Sequence, residues 1–470
     1  MPRPKTPISS TLLLCILALL IAASCQQQTV DQDPIPPAQL TLENGANTAE
    51  DVAEAAGEGL TDSEPITTPT LPLPPTVEIT LTPTLSPTPF IIQNPSTPCG
   101  QSLPLVLPDV ETNYVWELPP IADELVPESA RPAIDYIYSN PNDVSVVVFQ
   151  VDYEGIGFYH NADSPMPLAS VSKMVQLVAW AQGVETGEFN PNQIVSRDEL
   201  NQWYLPGSDL GAHFDALEEF DGKELTQDDV AWMMIRHSSN AAADYFHDML
   251  GQERIEQTVQ DLGLTDHTAP CSWLGRFLAV STLDSGELTE LEANPAAYGL
   301  MISDRQDRYL QDENFRQIGN QSWQRRSQPP FGKESDFTET FDTKGTAQDY
   351  SRLMAQLIQD EVGSPETSRL IRSHLEWPIN EFPVNRTRYN TVGYKNGTLP
   401  GVLTTLYYAE PYWGDRPIVV ALFYRNLPQQ TYRRWRREFP HDALAHWLMT
   451  NPNGIHIMHV LRDSAVAAAE

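Results

Sequence analysis

Between Lys5 and Arg131 the chain carries no lysine or arginine. Across 470 residues, 63 acidic side chains face 29 basic ones, a net charge of −34. That balance argues against a polyanion partner, and no feature supports nucleic-acid recognition. Cysteine is scarce, with four in all: Cys15, Cys25, Cys99 and Cys271. The first two fall in an N-terminal apolar segment. That leaves Cys99 and Cys271, which outside the cytosol can form a disulfide or stay as two separate thiols; the sequence admits both.

The segment 1–25 has Arg3 and Lys5 ahead of the mostly apolar run Ile8 to Ala23, the pattern of an export signal. Ala22-Ala23-Ser24-Cys25 resembles a bacterial lipobox, which implies lipidation of Cys25 and a membrane-anchored protein of the cell envelope; the alternatives are an ordinary signal peptide or a short membrane anchor. Ala22 stands where that pattern prefers leucine. Residues 26–103 are rich in Pro, Thr and acidic side chains, as in Thr67-Thr68-Pro69-Thr70-Leu71-Pro72. Repeated Thr-Pro and Leu-Pro steps block helix and favour extended chain, so the segment reads as a linker.

Residues 104–455 read as one α/β (α+β) domain, with 456–470 left as a C-terminal tail. A helix around Glu128 to Tyr138 precedes Val144-Ser145-Val146-Val147-Val148-Phe149, a β-branched run suited to a buried strand. A turn at Glu154-Gly155 then makes a hairpin with Ile156 to Tyr159. Thr226-Gln227-Asp228-Asp229 and Thr346-Ala347-Gln348-Asp349 look like capping boxes, each opening a helix. Thr391 to Tyr394, Leu403 to Ala409 and Ile418 to Tyr424 read as three strands, followed by a helix near His441 to Met449. Two early strands and three late ones predict a five-stranded antiparallel sheet flanked by helices, with the intervening helices as an all-helical subdomain. Residues 284–345 read as an insertion, either a lid over the cleft or surface elaboration.

The chemistry sits in three short motifs. Ala169-Ser170-Val171-Ser172-Lys173-Met174 contains Ser-x-x-Lys at the head of an apolar helix, which puts a hydroxyl and an amine one turn apart. Ser238-Ser239-Asn240 and Lys395-Asn396-Gly397 follow. A serine needs a neighbouring base and a shielded site to act as a nucleophile, and this set offers both. His237, His247 and Asp244 lie on helices and read as supporting groups rather than metal ligands.

The order Ser-x-x-Lys, Ser-x-Asn, Lys-x-Gly resembles the class A β-lactamases, penicillin-binding proteins and D,D-peptidases. The resemblance covers about 125–450. It implies a β-lactamase/transpeptidase-like fold, no metal or organic cofactor, and a β-lactam or peptidoglycan-type peptide as substrate. It further implies that Ser170 is the acylated nucleophile, Lys173 its base and Ser238 a proton relay to the leaving nitrogen. Lys395 would supply positive charge; Asn240, Asn396, Gly397 and Thr398 would bind substrate, with the Ser170 and Thr398 N–H groups as oxyanion hole. Ser239 replaces an aspartate whose role in the family is mainly structural. Asn396 replaces a Thr or Ser that helps bind the substrate carboxylate.

One departure bears on the outcome of the reaction. Class A β-lactamases carry a deacylating Glu in a Glu-x-x-Leu-Asn loop, but no carboxylate occurs here between Asp266 and Asp284. Glu290-Leu291-Glu292-Ala293-Asn294 keeps the Glu and Asn spacing further along, which makes Glu290 the candidate base. Without such a base a β-lactam would stay bound as an acyl-enzyme. The alternatives are therefore a β-lactamase, a penicillin-binding D,D-peptidase, or a catalytically poor cell-wall binding protein.

Overall fold

The run Val144–Phe149 has no polar break long enough to face water, and a strand buried on both faces is what such a run forms. A computed structural model of the chain describes residues 99–102, 126–294, 297–324 and 328–469. In it the run is β1 (Val144–Gln150), preceded by α1 (Arg131–Ser139) and followed by β2 (Phe158–His160). The signal segment, Cys25 and the linker up to residue 98 lie outside the described residues.

The three late strands are β3 (Tyr389–Leu399), β4 (Val402–Pro411) and β5 (Ile418–Tyr424). They join β1 and β2 in one antiparallel sheet of order β2-β1-β5-β4-β3, with Val146 opposite Leu422 and Lys395 opposite Leu406. Strand alternation sends Val146 and Val148 to one core, and Val147 and Phe149 to the other. β3 lies at the edge of the sheet, so one row of its main-chain groups has no strand partner.

The segment between β2 and β3 is mostly helical. Its longer helices are α2 (Lys173–Glu185), α3 (Gln227–Arg236), α4 (Asn240–Leu250), α5 (Gln252–Asp261), α6 (Trp273–Thr282), α7 (Ser285–Ala293), α8 (Ala297–Gln311), α9 (Glu313–Ser322), α10 (Phe331–Phe341), α11 (Ala347–Ile358) and α12 (Pro365–Leu375). The Thr226 box is reciprocal, each side chain bonding the other's main chain. The Thr346 box is half made. Thr346 caps Asp349 N, but the Asp349 carboxylate turns to Thr265, taking its N–H at 2.6 Å and its hydroxyl at 2.9 Å.

Residues 284–345 are four helices built onto α6 as part of the helical block. Tyr298, Ile302, Tyr309, Phe315, Phe337 and Phe341 are buried in its core. Gly275 lets α8 approach closely, since a Cβ there would lie 2.5 Å from the Ile302 carbonyl oxygen. Arg276 of α6 holds the C-terminal end of the insertion, 3.4 Å from Asp342 and 3.9 Å from Glu334.

The C-terminus departs from expectation. After α13 (Gln429–Glu438) and α14 (Pro440–Thr450), residues 456–470 do not trail as a tail; through 469 they belong to α15 (Gly454–Ala469). Ile457 and Met458 are buried, and Tyr138 donates to the Met458 carbonyl at 3.1 Å. The pair of apolar residues Ile457-Met458 was the available signal.

Candidate active site

The first motif folds differently from a plain helix start. Ala169–Ser172 is a 3-10 turn and α2 begins only at Lys173. Ala169 is left-handed, with φ of 47°, a strained state for an alanine. The turn is held from both sides: Leu168 N–H donates to Thr343 O at 2.9 Å, and Thr404 of β4 donates its hydroxyl to Leu168 O at 3.0 Å. Ser170 keeps 9 % of its surface in solvent, whereas Lys173 is fully buried. No protein group hydrogen-bonds the Ser170 hydroxyl among the described residues, so its oxygen is free for a substrate.

The second motif links α3 to α4. Ser238 is left-handed, with φ of 61°, and Ser239 caps α4 by accepting from Ala242 N–H at 3.1 Å. This geometry aims both the carbonyl and the hydroxyl of Ser238 at Lys173. Lys173 Nζ lies 2.5 Å from Ser238 O, 2.7 Å from Asn240 Oδ1 and 3.4 Å from Ser238 Oγ.

The third motif arrives on edge strand β3. Lys395 Nζ donates to Ser238 Oγ at 3.1 Å and to Asn396 O at 2.8 Å. Gly397 packs on the nucleophile's turn, where a Cβ would stand 2.6 Å from Leu168 O and 2.8 Å from Ser170 N. Alternation along β3 puts Lys395 and Gly397 on the face turned to the helical block, and Asn396 and Thr398 on the other. What Asn396 and Thr398 offer toward Ser170 is therefore the main chain of an unpaired edge, which suits the Thr398 N–H better than the Asn396 amide.

Lys173, Ser238, Asn240 and Lys395 thus form one hydrogen-bonded cluster, and Gly397 packs against the Ser170 main chain; no hydrogen bond joins the Ser170 hydroxyl to Lys173. Glu290 does not join them. The Asp284 and Glu287 capping box starts α7 so that Glu290 faces solvent, and neither a hydrogen bond nor an ion pair links it to the motif residues. His237, His247 and Asp244 do not cluster as ligands either; His237 faces Glu219 at 2.7 Å.

Two neighbours, Trp273 and Asp209, escaped the sequence reading, and Asp244 shows what its supporting role is. Trp273 sets its ring over Lys173, 4.8 Å from Nζ to the centroid, in the stretch that lacks carboxylates. Asp244, one turn after Asn240, accepts Trp273 N–H at 2.7 Å and Leu274 N–H at 2.6 Å, which fixes the start of α6. Asp209 comes from a loop with no motif at all. Cys99 and Cys271 form a disulfide with their Cα atoms 5.0 Å apart. It fixes the chain two residues before Trp273.

Burial sets the electrostatics. It drives the Lys173 ammonium from 10.5 down to about 7, against the opposing pull of Asp209 and Asp244. Lys395 falls well below its usual range, first through burial and then through the charge of Lys173. Burial also raises Asp244 to about 7. Near neutral pH a large share of Lys173 is therefore free amine, able to take a proton. The Ser238 hydroxyl, shared by both lysines, can pass that proton on.

A family model described as the Beta-lactamase enzyme family matches residues 130–431. No curated protein matches the chain. Among solved structures, the chain is similar to a β-lactamase from Sphaerobacter thermophilus DSM 20745, at 19% identity and a TM-score of 0.43, covering 69% of this chain and 98% of that one. It is also similar to a β-lactamase from Desulfarculus baarsii DSM 2075, at 16% identity and TM-score 0.42, covering 68% and 97%. A third is a mutant of PBP-A as an acyl-enzyme complex with penicillin G, at 16% identity and TM-score 0.38, covering 67% and 95%.

Proposed function

The chain belongs to the β-lactamase enzyme family, and on that premise we propose an exported serine hydrolase that acylates quickly and deacylates slowly. Ser170 Oγ attacks the carbonyl of a β-lactam or a D-alanyl peptide, its proton passing to Lys173. The C–N bond breaks as Ser238 delivers a proton to the leaving nitrogen, and an ester to Ser170 remains. Water later cleaves that ester. The edge position of β3 supports an extended peptide substrate, which would add its main chain beside Lys395 to Thr398.

The observation that carries the slow second step is the engagement of the carboxylates beside Lys173. Both oxygens of Asp244 are taken by the α6 amides, and those of Asp209 by Gly211 and His213 N–H, each at 3.1 Å. With each oxygen tied to a main-chain amide, both carboxylates are fixed on those amides, which supports a structural role for them over that of a base activating a hydrolytic water. The reading thus favours a penicillin-binding D,D-peptidase over a β-lactamase.

Fluorescent penicillin tests it. A lasting adduct, lost in Ser170→Ala, is expected. Rapid turnover without a lasting adduct would identify a β-lactamase, and absence of any reaction would leave a cell-wall binding protein. The same proposal anchors the enzyme through a lipid on Cys25, with residues 26–103 as spacer. Metabolic labelling with palmitate, abolished in Cys25→Ser, checks that part.

A further inference from the structure

The loop between the short helices Arg197–Asn201 and Ala212–Glu218 is anchored to the second motif at two points. Gly207, Leu210 and Gly211 are all left-handed, with φ of 88°, 59° and 95°, and fold the loop back on itself. At its turn the Asp209 carboxylate receives the N–H groups of Gly211 and His213, each at 3.1 Å, and it lies against the main-chain N–H of Asn240. Asn240 is the residue whose side chain holds Lys173 Nζ.

The second anchor is His213, which is fully buried and stacked on Tyr204 at 5.0 Å. Its Nε2 lies 2.9 Å from Asn201 Oδ1, and its Nδ1 lies 3.0 Å from Ser239 Oγ. Burial keeps the ring neutral, down to about 4, so one nitrogen donates and the other accepts. The Asn201 oxygen only accepts; Nε2 therefore carries the proton, and Nδ1 accepts the Ser239 O–H. Ser239 Oγ in turn accepts Ala242 N–H. This run of hydrogen bonds ends at the residue between Ser238 and Asn240.

We propose that Asp209 and His213 are positioning residues that clamp the Ser238-Ser239-Asn240 turn against Lys173, doing from a separate loop the structural work that an aspartate inside the turn does in the family pattern. Ser239 already caps α4, and the loop adds a second hold on its hydroxyl through His213. The charged groups facing Lys173 are Asp209, Asp244 and Lys395. Of the two carboxylates, Asp209 is the one anchored to the turn through Asn240, so it couples the shape of the motif to the proton on Lys173.

The inference rests on Lys173 as proton carrier, and its test separates the two ideas. The chain has six lysines, so Lys173 can be followed by NMR of 13C-labelled lysine in the full chain, assigned with Lys173→Arg. In Asp209→Asn, or Asp209→Ser if the first folds poorly, the Lys173 titration should move down by about one pH unit, since a nearby anion is lost. The acid limb of penicillin labelling should move with it. In His213→Ala, labelling should slow about tenfold with the limb unmoved, because geometry and not charge is lost. Adding Ser239→Asp to His213→Ala should restore it. A Lys173 titration unchanged in both Asp209 variants overturns the coupling, and His213→Ala labelling within twofold of the parent overturns the clamp. If even the parent takes no label, the hydrolase reading fails, while the NMR titration still decides the role of Asp209.

Discussion

The Ser238 hydroxyl stands between two lysines, 3.1 Å from Lys395 Nζ and 3.4 Å from Lys173 Nζ. One oxygen accepting from Lys395 can direct its own proton only to a group that accepts, and Lys173 accepts only as a free amine. Ser238→Ala should therefore slow acylation of Ser170 by about 10²- to 10⁴-fold, the range for a lost general acid–base group. Stopped-flow labelling measures it; a change of less than threefold would remove Ser238 from the proton path.

Acylation should rise with pH through about 7 as Lys173 loses its proton. The same group shapes stability. The unfolded chain keeps this proton up to about 10.5 and the folded one only to about 7, so between those values the unfolded state binds more protons. Stability thus gains from Lys173 as pH rises through that window, and its burial is most costly below 7. Lys173→Met should flatten this part of the curve in chemical denaturation across pH 6 to 10.

Removing the ring above Lys173 lets water reach the ammonium. Trp273→Ala should then raise the acid limb of labelling above 7 toward ordinary lysine, with slower reaction at neutral pH. A limb that stays near 7 would show that Trp273 does not keep Lys173 dry.

At Gly397 an alanine methyl would press on Leu168 O and Ser170 N, both main-chain atoms that cannot swing aside. Gly397→Ala should cost about 1 to 3 kcal/mol of stability and most of the labelling. Thermal melts and adduct yield report both, and normal values for each would refute the close approach.

The bridge between Cys99 and Cys271 closes a loop with a sequence separation of 172 residues. Its loss in Cys99→Ser/Cys271→Ser should lower stability by about 2 to 4 kcal/mol, read from denaturant midpoints.

Much of this was legible in the sequence because it rests on local patterns. The β-branched run of β1, the Thr226 box and the three motifs each declare themselves within a few residues. Asp209 and Trp273 did not, since their importance arises from packing across elements far apart in the chain. Glu290 misled for the opposite reason: it keeps a familiar spacing, but α7 turns it outward. At 456–470 the signal was present, since Ile457, Met458 and Leu461 recur at helical spacing, but it is confined to the first turns of α15.

The sheet's pairing of Val146 with Leu422 constrains how the protein comes into being. A nascent chain leaves the ribosome with Ser170 and Ser238 long before Lys395, and β1 must wait for β5 before it has a neighbour on that side. Such distant pairing folds late and slowly. A polypeptide cut short ahead of β3 would hold the nucleophile but neither Lys395 nor the strand that backs it, so chemical competence arrives only once β3 has been made.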